Sequence, residues 1–137
     1  MARRTRVVVV GGGPAGISVI SGLRQRSLGG ELQITLLEPS DFHYYQSAWI
    51  NSAFALNKEI PSNCHIGKLF SPEDINWVNE AAGEFSPENN YVLTETGLKV
   101  NYDYLVVACG LQTDWEKIKG LHGKLGREGI TSVASFS

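Results

Sequence analysis

Six consecutive residues, Gly11-Gly12-Gly13-Pro14-Ala15-Gly16, fit the pattern G-x-G-x-x-G, and an acidic residue, Glu38, follows Gly16 by 22 positions. Such a pattern suits the binding of a dinucleotide when it lies between a strand and a helix and an acid closes the next strand. Each residue has a physical task. Gly11 permits the tight turn, Gly13 leaves out a Cβ so that a pyrophosphate can approach the backbone, and Gly16 lets helix and strand lie close. Pro14 suits the first helical position, where a missing N–H costs nothing. The helix N-terminus offers free N–H groups and the positive end of its dipole to phosphates. Glu38 is placed to accept hydrogen bonds from ribose hydroxyls, and its charge disfavours a 2′-phosphate. The competing reading is a glycine-rich turn that binds nothing, and the motif alone does not choose between FAD and NAD.

The elements that must position these residues follow from the surrounding pattern. Arg6–Val10 is a β-branched run, read as a buried parallel strand. A helix from Pro14 to about Arg26 carries Ile17, Ile20 and Leu23 on one face, with Arg24 and Arg26 near its C-terminal end and Gly29-Gly30 as its stop. Gln33–Leu37 forms the second strand, so that strand, helix and strand make one βαβ unit. Residues Ser40–Leu69 read as irregular, with a short helix over Ser47–Leu56. Ile75–Phe85 reads as one strand, and Tyr91–Thr94 with Leu98–Val100 as a hairpin about Glu95-Thr96-Gly97. Tyr104–Ala108 is a third buried strand closed by Gly110, and Leu111–Ser137 is loop-like. The expected fold class is therefore α/β, a Rossmann-like βαβ unit with an added β-hairpin.

Composition removes several classes of function. The 137 residues suffice for one core, and 42% hydrophobic with 19% charged residues is ordinary globular chemistry. Twelve basic residues against fourteen acidic ones leave a formal net charge of −2, which gives no electrostatic footprint for nucleic acid. Arg3, Arg4 and Arg6 read as a solvated tail rather than a targeting signal, and no apolar run approaches bilayer-spanning length. Two cysteines, Cys64 and Cys109, are too few for a disulfide scaffold and suit a reducing compartment. Cys109 reads as a small residue in a buried turn. Cys64, His65 and His43 have poor chelating spacing, so no metal site is expected. Tyr44, Tyr45 and Trp49 read as packing residues unless a cofactor lies beside them. No nucleophile elbow supports hydrolysis.

Beyond the glycine turn, the segment Glu38-Pro39-Ser40-Asp41-Phe42-His43-Tyr44-Tyr45-Gln46, followed by Trp49, resembles the stretch after the second strand in sulfide:quinone oxidoreductases of the mitochondrial type. Asp114-Trp115-Glu116-Lys117-Ile118-Lys119-Gly120-Leu121 resembles that family's continuation. The likeness runs from about Arg6 to Leu121. It implies FAD as cofactor, with Gly11, Gly13, Pro14, Ala15 and Gly16 at the pyrophosphate, Glu38 at the ribose, Gln46 at the flavin nucleotide, main-chain groups of Ala82 at adenine, and Gly110 passing close to the cofactor. Ser47 departs from the pattern, since the family usually has Pro there.

The resemblance also implies a two-dinucleotide-binding-domain flavoprotein of which residues 1–137 are the N-terminal portion of the FAD-binding domain, with the C-terminus cut and an apolar edge left exposed. In the family, sulfide is oxidised at cysteines and electrons pass through FAD to quinone. Those cysteines fall beyond Ser137, so no catalytic residue is assigned here, and sulfide and quinone are partners only of the complete enzyme. A mitochondrial location, peripheral to the inner membrane, follows by resemblance alone, because no clear presequence is visible. The alternatives are another flavoprotein of the superfamily, such as a type II NADH dehydrogenase, and a truncated nucleotide-binding or structural product without activity.

Overall fold

The computed structural model describes residues 3–27, 30–54 and 62–132. These fall into two compact units, one drawn from Met1–Tyr44 and Asn63–Gly110 and the other from Tyr45–Ser62 and Leu111–Ser137.

The first unit is built on a parallel sheet. Strand β1 (Thr5–Val10) leads through the glycine turn into helix α1 (Pro14–Arg26), which returns the chain to β2 (Leu32–Leu37). These bounds agree with the expected βαβ unit to within a residue or so. The chain continues through β3 (Phe42–Tyr44), α2 (Gln46–Phe54, in the second unit), β4 (Asn63–His65), α3 (Ile66–Leu69), β5 (Asn76–Val78), β6 (Ala82–Ser86), β7 (Tyr91–Thr94), β8 (Lys99–Asn101) and β9 (Tyr104–Val107). The parallel sheet has the order β5-β2-β1-β9, with β6-β7-β8 forming an antiparallel sheet and β3-β4 a two-stranded one.

Side-chain alternation along β1 sets the layers. Val7 and Val9 join Ile20, Ile34, Leu36, Ile66, Phe70 and Ile75 in one cluster, against which Ile17 and Leu23 of α1 pack. Val8 and Val10 point the other way, into a cluster with Leu37, Val92 and Tyr102. A strand covered on both faces can carry the unbroken run Val7-Val8-Val9-Val10, and each fully buried branched side chain there contributes on the order of 2 kcal/mol.

Several sequence expectations are corrected. Ile75–Phe85 is not one strand: β5 ends at Val78 in the parallel sheet and β6 starts at Ala82 in the antiparallel one. The chain changes sheet at Asn79-Glu80-Ala81, where the Glu80 N–H donates to the Val78 carbonyl at 2.9 Å and the Asn79 amide donates to Asp41 at 2.5 Å. The polar residues Asn79 and Glu80 interrupt the strand where the chain crosses from one sheet to the other. The stretch read as irregular holds β3, β4 and α3 as well as the short helix, which begins at Gln46; its expected end at Leu56, like Gly29, lies outside the described residues. Strand β9 is half-exposed rather than buried, with Tyr104 and Val107 open to solvent, because it lies at the edge of the parallel sheet.

In the second unit, the segment read as loop-like has a regularity that the sequence reading passed over. Gly120, Gly123, Gly126 and Gly129 recur every third residue, all with positive φ. Successive turns close with the N–H groups of Leu121, Lys124, Arg127 and Ile130 donating to the carbonyls of Ile118, Leu121, Lys124 and Arg127. Each glycine occupies the turn position that requires positive φ. No helix among the described residues is long and apolar enough to cross a membrane.

Of the N-terminal arginines, Arg3 and Arg4 are exposed as a solvated tail would be, but Arg3 and Arg6 are also paired. Arg6 opens β1 against Asp103, just before β9, donating from its backbone N–H at 2.8 Å and its guanidinium at 3.1 Å, while Arg3 donates to the same carboxylate at 2.5 Å. The hydrogen bonds from the Arg6 side chain and backbone, with the charges of Arg3 and Arg6, hold the Asp103 carboxyl down at about 2 against an ordinary 3.8. A carboxyl depressed in the folded chain adds stability above its unfolded pKa and loses it as pH falls through the folded value. Asp103→Asn is therefore expected to lower the thermal midpoint at neutral pH, with the gap to the parent closing between pH 4 and 2. Melts followed by circular dichroism across that range check it, and a gap independent of pH would contradict it.

Candidate dinucleotide site

The C-terminal ends of β1, β2 and β9 lie side by side, with Val10 in register with Leu37 on one side and Val107 on the other. The residues that follow each strand therefore meet at one edge of the sheet: Gly11 after β1, Glu38 after β2, and Ala108 to Gly110 after β9. In open α/β sheets this is where ligands bind.

There is little room between them. The Gly11 N–H donates to the Leu37 carbonyl at 2.9 Å, and a Cβ on Gly11 would stand 2.3 Å from the Ala108 carbonyl oxygen. A Cβ on Gly16 would stand 1.9 Å from the Gly11 carbonyl oxygen, so this glycine is what lets α1 lie against the turn. Gly12 is constrained too, although its place in the motif is nominally open. Its N–H donates to Glu38 Oε2 at 2.6 Å, and a Cβ there would meet Glu38 Cγ at 2.7 Å.

Gly13 differs from its neighbours. It caps α1 in an extended conformation, with no side chain bonded to the helix start, and a Cβ there would meet nothing within 4 Å. Among the described residues, no acceptor takes the N–H groups of Gly13, Ala15 or Gly16. Open space over a glycine, faced by N–H groups and a helix dipole, suits a diphosphate.

Glu38 is held from three sides. Its N–H donates to the Val78 carbonyl at 3.2 Å, its own carbonyl accepts from Trp77 Nε1 at 3.0 Å, and its Oε1 accepts from the Ser40 N–H at 2.8 Å. With one N–H on each carboxylate oxygen, lone pairs remain for the two hydroxyls of a ribose. The residues present fit the diphosphate and ribose of a dinucleotide.

The other residues singled out from the sequence are placed as follows. Gly110 follows β9 with φ at +71°, two residues beyond the Ala108 carbonyl that abuts Gly11. Ala82 opens β6 opposite Thr94 and packs against the cluster of Val8, Val10 and Leu37. Gln46 opens α2 and belongs to the second unit. Cys109 is exposed rather than buried, and both cysteines are free thiols. No group of three metal-ligating side chains occurs among the described residues. Sequence reasoning missed His43 and Trp77, whose ring nitrogens reach Gly12 and Glu38 across a sequence separation that no local pattern reveals.

A strand, a glycine turn, a helix and an acid at the tip of the next parallel strand define a dinucleotide-binding α/β protein. The sequence profile described as pyridine nucleotide-disulphide oxidoreductase matches residues 5–136, and the chain belongs to that family of FAD-dependent oxidoreductases. It is 39% identical over 134 residues to the mitochondrial sulfide:quinone oxidoreductase of Dictyostelium discoideum, covering 96% of this chain and 29% of that protein. The mouse mitochondrial sulfide:quinone oxidoreductase is 35% identical over 115 residues, covering 84% of this chain and 25% of its own. The crystal structure of sulfide:quinone oxidoreductase from Aquifex aeolicus superposes with a TM-score of 0.63 at 30% identity, over 81% of this chain and 25% of that one. The chain thus spans between a quarter and a third of the length of these relatives.

The glycine geometry separates two roles by measurement. Gly16→Ala is expected to destabilise the unliganded protein by on the order of 1–3 kcal/mol, through the clash with the Gly11 carbonyl. Gly13→Ala should change it by no more than about 0.5 kcal/mol, since nothing stands within reach of the added methyl. Urea unfolding of both variants is the check, and equal losses would contradict the packing described.

Proposed function

We propose that this chain is the FAD-gripping part of a sulfide:quinone oxidoreductase-like flavoprotein. The observation that carries the reading is the open space over Gly13 beside unclaimed N–H groups, next to a Gly12 packed under a fixed Glu38, in a chain that resembles mitochondrial sulfide:quinone oxidoreductases along nearly its whole length. Gly13, Ala15 and Gly16 offer their N–H groups to the diphosphate, Gly11 and Pro14 shape the turn and the helix start that hold it, and Glu38 holds the ribose of the adenosine half. Main-chain groups of Ala82 serve adenine, Gln46 serves the flavin nucleotide, and Gly110 passes close to the cofactor. Residues 1–137 form the N-terminal portion of the FAD-binding domain.

FAD supplies the electron chemistry when bound, and the residues of this chain bind and orient it. Sulfide as donor and quinone as acceptor belong to the whole protein, by likeness to relatives that carry those substrates in their names. A mitochondrial location, peripheral to the inner membrane, is proposed on the same likeness. Cys64 and Cys109 take no part in the redox chemistry. Cys64 Sγ lies 3.6 Å from the His65 carbonyl and Cys109 Sγ 4.0 Å from that of Val10, so each thiol faces backbone rather than a second sulfur.

Calorimetric titration of the 137-residue chain with FAD should give saturable, one-to-one binding. Gly13→Val should weaken it at least about tenfold while leaving the circular dichroism unchanged, because the added side chain fills only the space meant for the diphosphate. With FAD, sulfide and a soluble quinone supplied, the same chain should reduce no quinone. Natively folded protein that takes up no FAD would end the cofactor assignment, and sulfide-dependent quinone reduction would show that the role denied to the two thiols is wrong.

A further inference from the structure

Gly11, Gly12 and Gly13 follow one another without a Cβ among them, so little in the chain itself stops either of their peptide units from rotating. A flipped unit would present a carbonyl oxygen where an anion needs an N–H. The structure fixes both units from outside the turn. The peptide joining Gly11 to Gly12 is held by Glu38 Oε2, which accepts the Gly12 N–H at 2.6 Å. The peptide joining Gly12 to Gly13 is held at its carbonyl, where His43 Nδ1 stands 2.8 Å from the Gly12 oxygen. A carbonyl only accepts, so Nδ1 carries the proton. In a trans peptide the C=O and the following N–H point in opposite directions, so the hold on the Gly12 oxygen turns the Gly13 N–H away from His43. That N–H is one of the three donors with no acceptor among the described residues.

His43 is suited to this task by its own support. It is half-buried at the centre of β3, in register with Cys64 of β4, and neighbouring Phe42 packs edge-on against His65 with ring centroids 5.6 Å apart. We propose that His43 is a positioning residue for the diphosphate: through its Nδ1–H it locks the Gly12–Gly13 peptide in the orientation that offers the Gly13 N–H to the anion. This rests on the reading of the turn as an FAD site and adds to it the device that keeps a glycine-only turn competent. His43 itself does not touch the cofactor.

The test uses the 137-residue chain with FAD, ADP and adenosine as probes, the last lacking the phosphates. His43→Leu is expected to weaken FAD and ADP about tenfold, the worth of one lost orienting hydrogen bond, while adenosine affinity stays within about twofold. His43→Asn, whose amide N–H stands near the place of Nδ1, should restore ADP affinity to within about threefold of the parent. Nitrogen-15 spectra of the parent should show His43 protonated at Nδ1, a readout that needs no variant to fold. Unchanged ADP affinity in His43→Leu, equal losses for ADP and adenosine, no rescue by Asn, or a proton on Nε2 alone would each overturn the proposal. A parent chain that binds neither FAD nor ADP would instead overturn the FAD reading, and this inference with it.

Discussion

Everything at the candidate site depends on one steric constraint: three parallel strands end side by side, and the turn leaving the middle one has no room for side chains. The Ala108 carbonyl lies against Gly11, the Gly11 carbonyl against Gly16, and the Glu38 side chain against Gly12. Three neighbours thus occupy the space where three Cβ atoms would be. The exception is Gly13, whose vacant side faces open space, so three glycines serve packing and the fourth packs against nothing. An anion placed there meets N–H groups already oriented, with little reorganisation left to oppose binding.

The same packing places the charges. Glu38 could repel a nearby diphosphate, yet its carboxylate is turned onto the Gly12 and Ser40 N–H groups, which spread its charge and fix its direction. Trp77 holds the Glu38 backbone from β5, so the acid is tied to the strand on its far side as well as to the glycine turn. At the opposite end of the parallel sheet, Arg6 and Asp103 join the starts of β1 and β9. The middle strand is therefore fastened to a neighbour at both ends, and its valines are buried along the length between them.

Much of this was legible in the residues alone. The run Val7–Val10, Pro14 after three glycines, and the apolar spacing of Ile17, Ile20 and Leu23 are local signals, and α1 spans Pro14–Arg26 as they require. The less legible parts depend on partners far away in sequence. Whether Ile75–Phe85 is one strand or two depends on which sheets receive its halves, and Tyr104–Val107 could not be told from a buried strand without knowing that it lies at an edge. The glycines from Gly120 to Gly129 were legible in principle as a three-residue period, but a turn repeat carries no hydrophobic periodicity to draw attention to it.

The sequence by itself determined the βαβ unit, the glycine turn and the acid that answers it, because those features are set by residue type and short spacing. Only the tertiary structure decided which glycine faces open space, that the nominally variable Gly12 is packed under Glu38, and that the rings of His43 and Trp77 reach Gly12 and Glu38. These are contacts between residues 26 to 39 positions apart, brought together by parallel strand pairing and by β3 folding back beside the turn. Strand register, not local preference, chooses such neighbours, and register exists only once the chain has folded.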